Sequence, residues 1–130
     1  VGLMGTVGHV SDIGGTKDRM RAREIFEEGQ AVFLDAREPE RYQEGHIPGA
    51  WSVPAEHLEE YLQGHSRQSL LAALSLRPLV LVYCDGPECA SGGRLAHALR
   101  QAGVAQVRVM TDGWPAWDEA GHPTSRPVAP

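Results

Sequence analysis

Cys84 has the clearest capacity for nucleophilic chemistry in this chain, because of its position in the hydrophobic pattern. It directly follows Leu79–Tyr83, a continuous apolar run that is typical of a strand buried on both faces. A turn-forming stretch comes next, and a helix is predicted to open at Cys89–Ser91. Amides in such a loop and at a helix start favour an anion, and they stabilise the thiolate, the form of cysteine that attacks. The alternative is that Cys84 is a small buried hydrophobic residue.

The loop after Cys84 supplies the candidate substrate-binding residues. Its backbone N–H groups are expected to surround an anion bound to, or transferred onto, the cysteine sulfur. These candidates are Asp85, Gly86, Pro87, Glu88, Cys89, Ala90 and Ser91.

A second predicted strand brings further polar side chains to the same edge of the sheet. The short apolar run 31–34 ends at Asp35, and Arg37 follows two residues later. In open α/β sheets the sites lie at the carboxyl ends of the strands. We interpret Asp35 and Arg37 as an ion pair that supports the site, in preference to a catalytic pair, because buried charges are usually paired.

His46 lies in Gly45-His46-Ile47-Pro48-Gly49-Ala50, a loop made rigid by proline and two glycines. An imidazole there invites the role of general base. The preferred interpretation is a loop histidine hydrogen-bonded to backbone, because nothing in the sequence places it beside Cys84.

The remaining periodicity predicts alternating strands and helices. Helices are expected over 17–28, after Pro54 with Leu58, Tyr61 and Leu62 on one face, and from Ser66; further strands are expected over 51–53 and 104–110. Such alternation indicates a parallel α/β sheet with helices on both faces. Residues 1–16 are expected to be a flexible lead-in, with a short edge strand around 8–13, residues 17–123 the domain, and residues 124–130 an irregular tail.

Size and charge exclude several classes of protein. A chain of 130 residues is one domain by length, and a net charge of −5 with scattered basic residues offers no surface for nucleic acid. Two cysteines make neither a disulfide framework nor a zinc-ligand spacing, so no metal is expected. No apolar run approaches the length of a membrane span, and no signal peptide is recognisable. The start at Val1 indicates a piece of a longer or processed polypeptide, whose compartment stays open with the cytoplasm preferred.

Four separate segments together resemble a rhodanese-like domain. Their order and spacing cover about residues 17–123. They are Leu34-Asp35-Ala36-Arg37 with Glu38, Glu40 and Tyr42, then Gly45–Ala50, then Val82-Tyr83-Cys84, and finally Asp112-Gly113-Trp114-Pro115-Ala116-Trp117 with Ala120-Gly121-His122-Pro123.

The resemblance implies a five-stranded parallel sheet flanked by helices and a persulfide carried on Cys84. The implied activity is that of a sulfurtransferase, which moves a sulfane sulfur from thiosulfate or a persulfide donor to a thiol or cyanide. No cofactor is implied, and the partners would be these small molecules, an acceptor protein or an attached domain. Asp35 and the loop of His46 match positions that in this family hold the fold around the active-site loop, and Arg37 is expected to support the site with them.

The active-site loop departs from the common pattern of the family. That pattern is Cys-x4-Arg-Ser, whereas here Cys89 stands in place of the arginine and Ser91 comes one position late. Asp85 and Glu88 add negative charge, which opposes a thiolate and an anionic donor. The loop resembles a subgroup with Cys-x4-Cys.

Three alternatives follow from this departure. Cys89 is either a resolving thiol for a persulfide or sulfenate on Cys84, or a helix-start cysteine without a partner. The domain could also be a non-catalytic module that binds a protein or regulates an attached domain. A cysteine-based phosphatase is disfavoured, because that chemistry needs a loop arginine to bind the phosphoryl group.

Overall fold

A parallel β-sheet forms the centre of the fold. The computed structural model of this protein describes residues 15–57, 60, 66–86 and 88–126. Within them the strands are β1 (Ala31–Asp35), β2 (Trp51–Ser52), β3 (Leu79–Tyr83) and β4 (Val107–Met110). All pairings are parallel, in the order β2-β1-β3-β4, so β3 lies between two neighbours and its carboxyl end opens at the middle of one sheet edge.

Helices connect successive strands and cover the sheet. They are α1 (Gly15–Glu27), α2 (Pro39–Glu44), α3 (Ser66–Leu74), α4 (Ser91–Gln101) and α5 (Gly113–Glu119), with a 3-10 turn at Ala55–His57. Pro39 occupies the first turn of α2, where its missing N–H costs no hydrogen bond. Within the described ranges, no helix is both long enough and apolar enough to cross a membrane.

The two faces of the sheet have separate hydrophobic cores because strand side chains alternate in direction. Val80 and Val82 pack with α3 and α4, through Leu70, Leu74, Leu95 and Leu99. Leu81 and Tyr83 point to the other face, where they pack with Ile25 of α1 and Trp117 of α5. By this alternation the side chain of residue 84 belongs on the face of α4.

The predicted α/β architecture with helices on both faces is confirmed. The described part contains four strands where five were expected. The edge strand expected around 8–13 lies outside the described residues, as do Leu58, Tyr61 and Leu62 and the last residues of the tail. The helix expected after Pro54 begins as a 3-10 turn.

Candidate functional site

Cys84 lies at the carboxyl end of β3 and is nearly buried, with 5% of its surface exposed. Its own carbonyl oxygen accepts the N–H of Trp114 at 2.9 Å, and the carbonyl oxygen of Tyr83 accepts the N–H of Ala36 at 2.9 Å. The backbone of the strand end is therefore held from both sides. Both carbonyl oxygens are engaged by neighbouring segments.

The first turn of α4 packs against Cys84. Gly92 is buried there, and a Cβ on it would lie 3.7 Å from the Cβ of Cys84. The positive end of the helix dipole is thus close to the cysteine and favours a negative charge on it. The helix begins at Ser91, which lies within the stretch 89–91 where the sequence predicts its opening.

The loop between Cys84 and α4 is closed by a disulfide bond between Cys84 and Cys89. The N–H of Cys89 donates to the carbonyl oxygen of Gly86 at 3.1 Å, and this turn brings Cys89 back over the strand end. The sulfur of Cys84 is thus oxidised and bonded in a disulfide, whereas the sequence predicted a free thiolate at this position.

The expected ring of amides is incomplete around the sulfur. The N–H of Cys89 is occupied by Gly86, and Pro87, which lies outside the described residues, has no N–H to donate.

A pocket of about 280 Å³ opens at this edge of the sheet. Four of the predicted substrate-binding or catalytic residues line it, together with Arg37 from the predicted supporting set. The lining consists of Ala36, Arg37, Glu38, Arg41, Glu56, Cys84, Asp85, Cys89 and Ser91. The predicted binding residues Gly86, Glu88 and Ala90 do not line it.

Asp35 and Arg37 form a buried ion pair beneath the pocket. Arg37 donates through Nε and Nη2 to the Asp35 carboxylate at 2.6 to 3.1 Å, and Nη2 also donates to the carbonyl oxygen of Gly45 at 2.7 Å. Burial alone would lower the pKa of Arg37, but the hydrogen bonds and charge of Asp35 hold it above its usual value. Both side chains are almost completely buried, so each charge depends on the other.

Arg37 and Arg41 supply positive charge that the loop lacks. Nη1 of Arg37 lies 4.0 Å, and Nε of Arg41 lies 3.9 Å, from Oδ1 of Asp85. The negative charge that Asp85 brings to the loop is therefore offset by two guanidinium groups from the segment after β1. With Glu38 and Glu56 also at the pocket, its lining carries two arginines and three carboxylates.

The sequence interpretation missed Arg41, Glu38 and Glu56 as members of this site. A signal for Arg41 was present, because it stands in the helix that follows a strand end at the same sheet edge. Among the described residues, no group of three His, Cys, Asp or Glu side chains is arranged to hold a metal ion.

His46 does not line this pocket, and its Nδ1, its ring and its backbone all contact neighbouring residues. Its ring stacks on Tyr42 with centroids 3.7 Å apart, and Nδ1 donates to the carbonyl oxygen of Tyr42 at 2.8 Å. The backbone of His46 exchanges two hydrogen bonds with Ser125. The next residue, Ile47, donates its N–H to the Tyr83 hydroxyl at 3.1 Å. Since Tyr83 and Cys84 point to opposite faces, the loop of His46 is held on the other side of the strand.

The Tyr83 hydroxyl stays protonated in this environment. Burial, followed by the charge of Asp35, raises its pKa well above the usual range. The hydroxyl can then accept the Ile47 N–H without carrying a charge.

Comparison with known proteins identifies sequence relatives over most of the chain. Residues 19–120 match the family described as rhodanese-like domain. The chain is 31% identical over 114 residues to the HTH-type transcriptional regulator Rv0324 of Mycobacterium tuberculosis, covering 85% of this chain and 46% of that protein. It is 31% identical over 97 residues to the thiosulfate sulfurtransferase YnjE of Escherichia coli, covering 71% of this chain and 22% of that enzyme. The chain thus spans less than half the length of these two relatives.

A solved structure has the same architecture. The solution structure of the rhodanese-like domain of Alr3790 from Anabaena sp. superposes with a TM-score of 0.67 at 26% identity, covering 90% of this chain and 80% of that one. The parallel sheet with its flanking helices is therefore a shared fold.

Proposed function

The chain belongs to the rhodanese-like domain family, and from this premise we propose that it is a sulfurtransferase acting through a persulfide on Cys84. The donor is thiosulfate or a persulfide, and the acceptor is a thiol, including a thiol on an acceptor protein, or cyanide. We place the chain in a subgroup whose active-site loop is Cys-x4-Cys. Its relative YnjE is named a thiosulfate sulfurtransferase.

The observation that carries the proposal is the position of Cys84. The residue directly follows the central strand, its Cβ packs against Gly92 in the first turn of α4, and it lines a pocket that Arg37 and Arg41 also line. A cysteine beside a helix N-terminus and cationic side chains is held in its thiolate form, which is the reactive one. The amides of Asp85, Gly86, Glu88, Ala90 and Ser91 remain the candidates that hold the outer sulfur.

The reaction requires the disulfide to be reduced first. The Cys84 thiolate then attacks the sulfane sulfur of thiosulfate, the sulfur–sulfur bond of the donor breaks, and sulfite leaves with the electron pair. A thiol or cyanide next attacks the outer sulfur of the persulfide, and the Cys84 thiolate is released. The charged groups at the pocket act on anions in both steps, and such preorganised groups are typically worth several kcal/mol.

A second candidate is a module that binds a protein or regulates an attached domain. The observation in its favour is the likeness to Rv0324, a protein named as a transcriptional regulator, over 85% of this chain. A Cys84 held in a disulfide is also unable to accept sulfur. A phosphatase is not favoured, because two of the three guanidinium nitrogens of Arg37 already donate to Asp35 and to the carbonyl oxygen of Gly45. Arg37 therefore cannot bind a phosphoryl group through both of its ends.

The test measures sulfite and thiocyanate released by the reduced protein. The protein is reduced with a dithiol, freed of reductant under anaerobic conditions, and given thiosulfate and cyanide. We expect wild type to release sulfite in its first turnover, Cys89→Ser to release sulfite and thiocyanate continuously, and Cys84→Ser to release neither, with an adduct of about 32 Da on Cys84 of the Cys89→Ser protein when cyanide is omitted. Thiocyanate release by Cys84→Ser at the rate of Cys89→Ser would refute the proposal, and an absence of sulfite from all three proteins would favour the binding module.

A further inference from the structure

The two cysteines of the chain meet at the pocket. Their Cα atoms are 6.2 Å apart, and their sulfurs are bonded to each other. The hydrogen bond from Cys89 to Gly86 shapes the turn that makes this approach. Cys89 therefore reaches the sulfur of Cys84 in the folded chain.

We propose that Cys89 resolves the Cys84 persulfide within the chain, so that the domain releases sulfide and is regenerated by a dithiol reductant. This inference rests on the first step of the proposed function, the formation of the persulfide. The inference adds a product, hydrosulfide, and a second substrate, a dithiol, to the proposed reaction. The domain then acts as a reductase of sulfane sulfur.

The position of Cys89 decides which sulfur it attacks. A persulfide on Cys84 has an inner sulfur, the Sγ of Cys84, and an outer sulfur that comes from the donor. Attack on the outer sulfur would pass it to Cys89, whereas attack on the inner sulfur releases it. The bond between Cys84 and Cys89 is the bond that attack on the inner sulfur forms.

The step is balanced within the chain. The Cys89 thiol gives up its proton and attacks the Sγ of Cys84 as the thiolate. A Cys84–Cys89 bond forms, the bond to the outer sulfur breaks, and the outer sulfur leaves with the electron pair and takes up that proton as hydrosulfide. The two cysteines are oxidised to a disulfide, and the sulfane sulfur is reduced to sulfide. Arg37 and Arg41 line the pocket into which this anion departs.

The exposure of the two sulfur-bearing residues determines where the reductant enters. Cys84 is only 5% exposed, whereas Cys89 is partly exposed at the pocket. One thiolate of the dithiol therefore attacks the sulfur of Cys89, and Cys84 leaves as the thiolate beside the first turn of α4. The second thiol of the reductant then displaces Cys89, which restores both cysteines and oxidises the dithiol.

A single-turnover experiment under anaerobic conditions tests the inference. Reduced wild type, freed of reductant, is mixed with one equivalent of thiosulfate. We expect sulfite and sulfide in equal amounts, the loss of both protein thiols and no retained adduct. The same mixture with Cys89→Ser should release sulfite without sulfide and keep an adduct of about 32 Da on Cys84. Cys89→Ala is the second variant, should serine disturb the turn.

The outcomes separate this inference from the proposed function. Sulfite release by wild type with a stable adduct and an alkylatable Cys89 would overturn the internal resolution and leave the sulfurtransferase standing. An absence of sulfite from wild type and from both Cys89 variants would overturn the proposed function and this inference with it.

Discussion

The backbone N–H of Trp114 donates to the carbonyl oxygen of Cys84 at 2.9 Å, so α5 is tied directly to the end of the central strand. Gly113 makes this approach feasible. Its φ is +67°, and a Cβ there would lie 2.5 Å from that same carbonyl oxygen and 2.7 Å from the N of Gly86. The segment after β4 therefore shapes the loop that carries the two cysteines.

Gly113→Ala is expected to destabilise the protein through strain and collision together. A side chain in the left-handed region costs about 1–2 kcal/mol, and the contact with backbone should bring the total loss to about 3 kcal/mol or more. Gly121→Ala is the matched control, because Gly121 has a φ of +75° and no atom within 4 Å of its added Cβ. Denaturant unfolding gives the free energy of unfolding of both variants. Equal losses would show that the close approach of Gly113 to the carbonyl oxygen of Cys84 adds no cost beyond that of the backbone conformation.

Arg37→Gln should lower the free energy of unfolding strongly, because it leaves the Asp35 carboxylate buried without its cation. Breaking a buried pair on one side costs about 3–5 kcal/mol. The double variant Asp35→Asn, Arg37→Gln should recover part of this loss, since it removes the buried charge. Arg23→Gln, which removes an exposed pair with Glu27 and a contact with the His122 ring, should cost no more than about 1 kcal/mol. Additive losses in the Asp35 and Arg37 cycle would contradict the pairing.

Asp85→Asn should strengthen the binding of thiosulfate. It removes a carboxylate that lies about 4 Å from both Arg37 and Arg41, so the two cations act on the donor anion instead. We expect the KM for thiosulfate to fall by about fivefold at low salt, corresponding to about 1 kcal/mol for an exposed pair, and by less at high salt. Glu88→Gln makes the same charge change in the same loop outside the pocket lining, and a matching effect there would point to net charge alone.

Arg41→Gln should have the opposite effect on the donor. Its guanidinium lies at the pocket and is half exposed, so its loss should raise the KM for thiosulfate by roughly fivefold, again about 1 kcal/mol. Arg77→Gln is the control, because Arg77 precedes β3 at the opposite edge of the sheet and donates to the carbonyl oxygen of Gly29. Steady-state kinetics on the reduced proteins compares them, and an unchanged KM in Arg41→Gln would remove this residue from donor binding.

His122 should make stability fall on acidification. Burial, followed by the charge of Arg23, lowers its pKa, and Nδ1 lies 3.4 Å from Nη1 of Arg23, where only a neutral ring can accept. The unfolded chain, with a pKa of about 6.5, therefore binds more protons than the native state as the pH falls below that value. This contribution is fully present above about pH 6.5 and is lost below it. In His122→Gln the free energy of unfolding should change less between pH 7.5 and 5.5, and an unchanged pH dependence would exclude His122 as the cause.

The central strand and its cysteine were predictable because their signal is local. Five consecutive apolar residues followed by a cysteine and a turn indicate both the strand and the sheet edge where it ends, and β3 covers Leu79–Tyr83 as predicted. The ion pair of Asp35 and Arg37 also follows from a local rule, since the two residues flank a strand end. The hydrogen bond from Arg37 to the carbonyl oxygen of Gly45 is not local in this sense, because it depends on how the 45–50 loop folds back.

The charge balance of the pocket was not predictable from the loop alone. Asp85 is compensated by residues that precede it by more than forty positions, and only the direction of α2 brings Arg41 to it. Such contacts depend on tertiary packing, which residue spacing does not encode.

Tyr83 and Cys84 are adjacent at the end of β3, and their side chains point to opposite faces of the sheet. The Tyr83 hydroxyl accepts the N–H of Ile47 and so holds the 45–50 loop on one face, whereas Cys84 lies on the other face with the 85–90 loop. The hydrogen bond that holds the 45–50 loop is therefore separate from the segment that carries the two cysteines, and we expect a substitution within 85–90 to leave it in place.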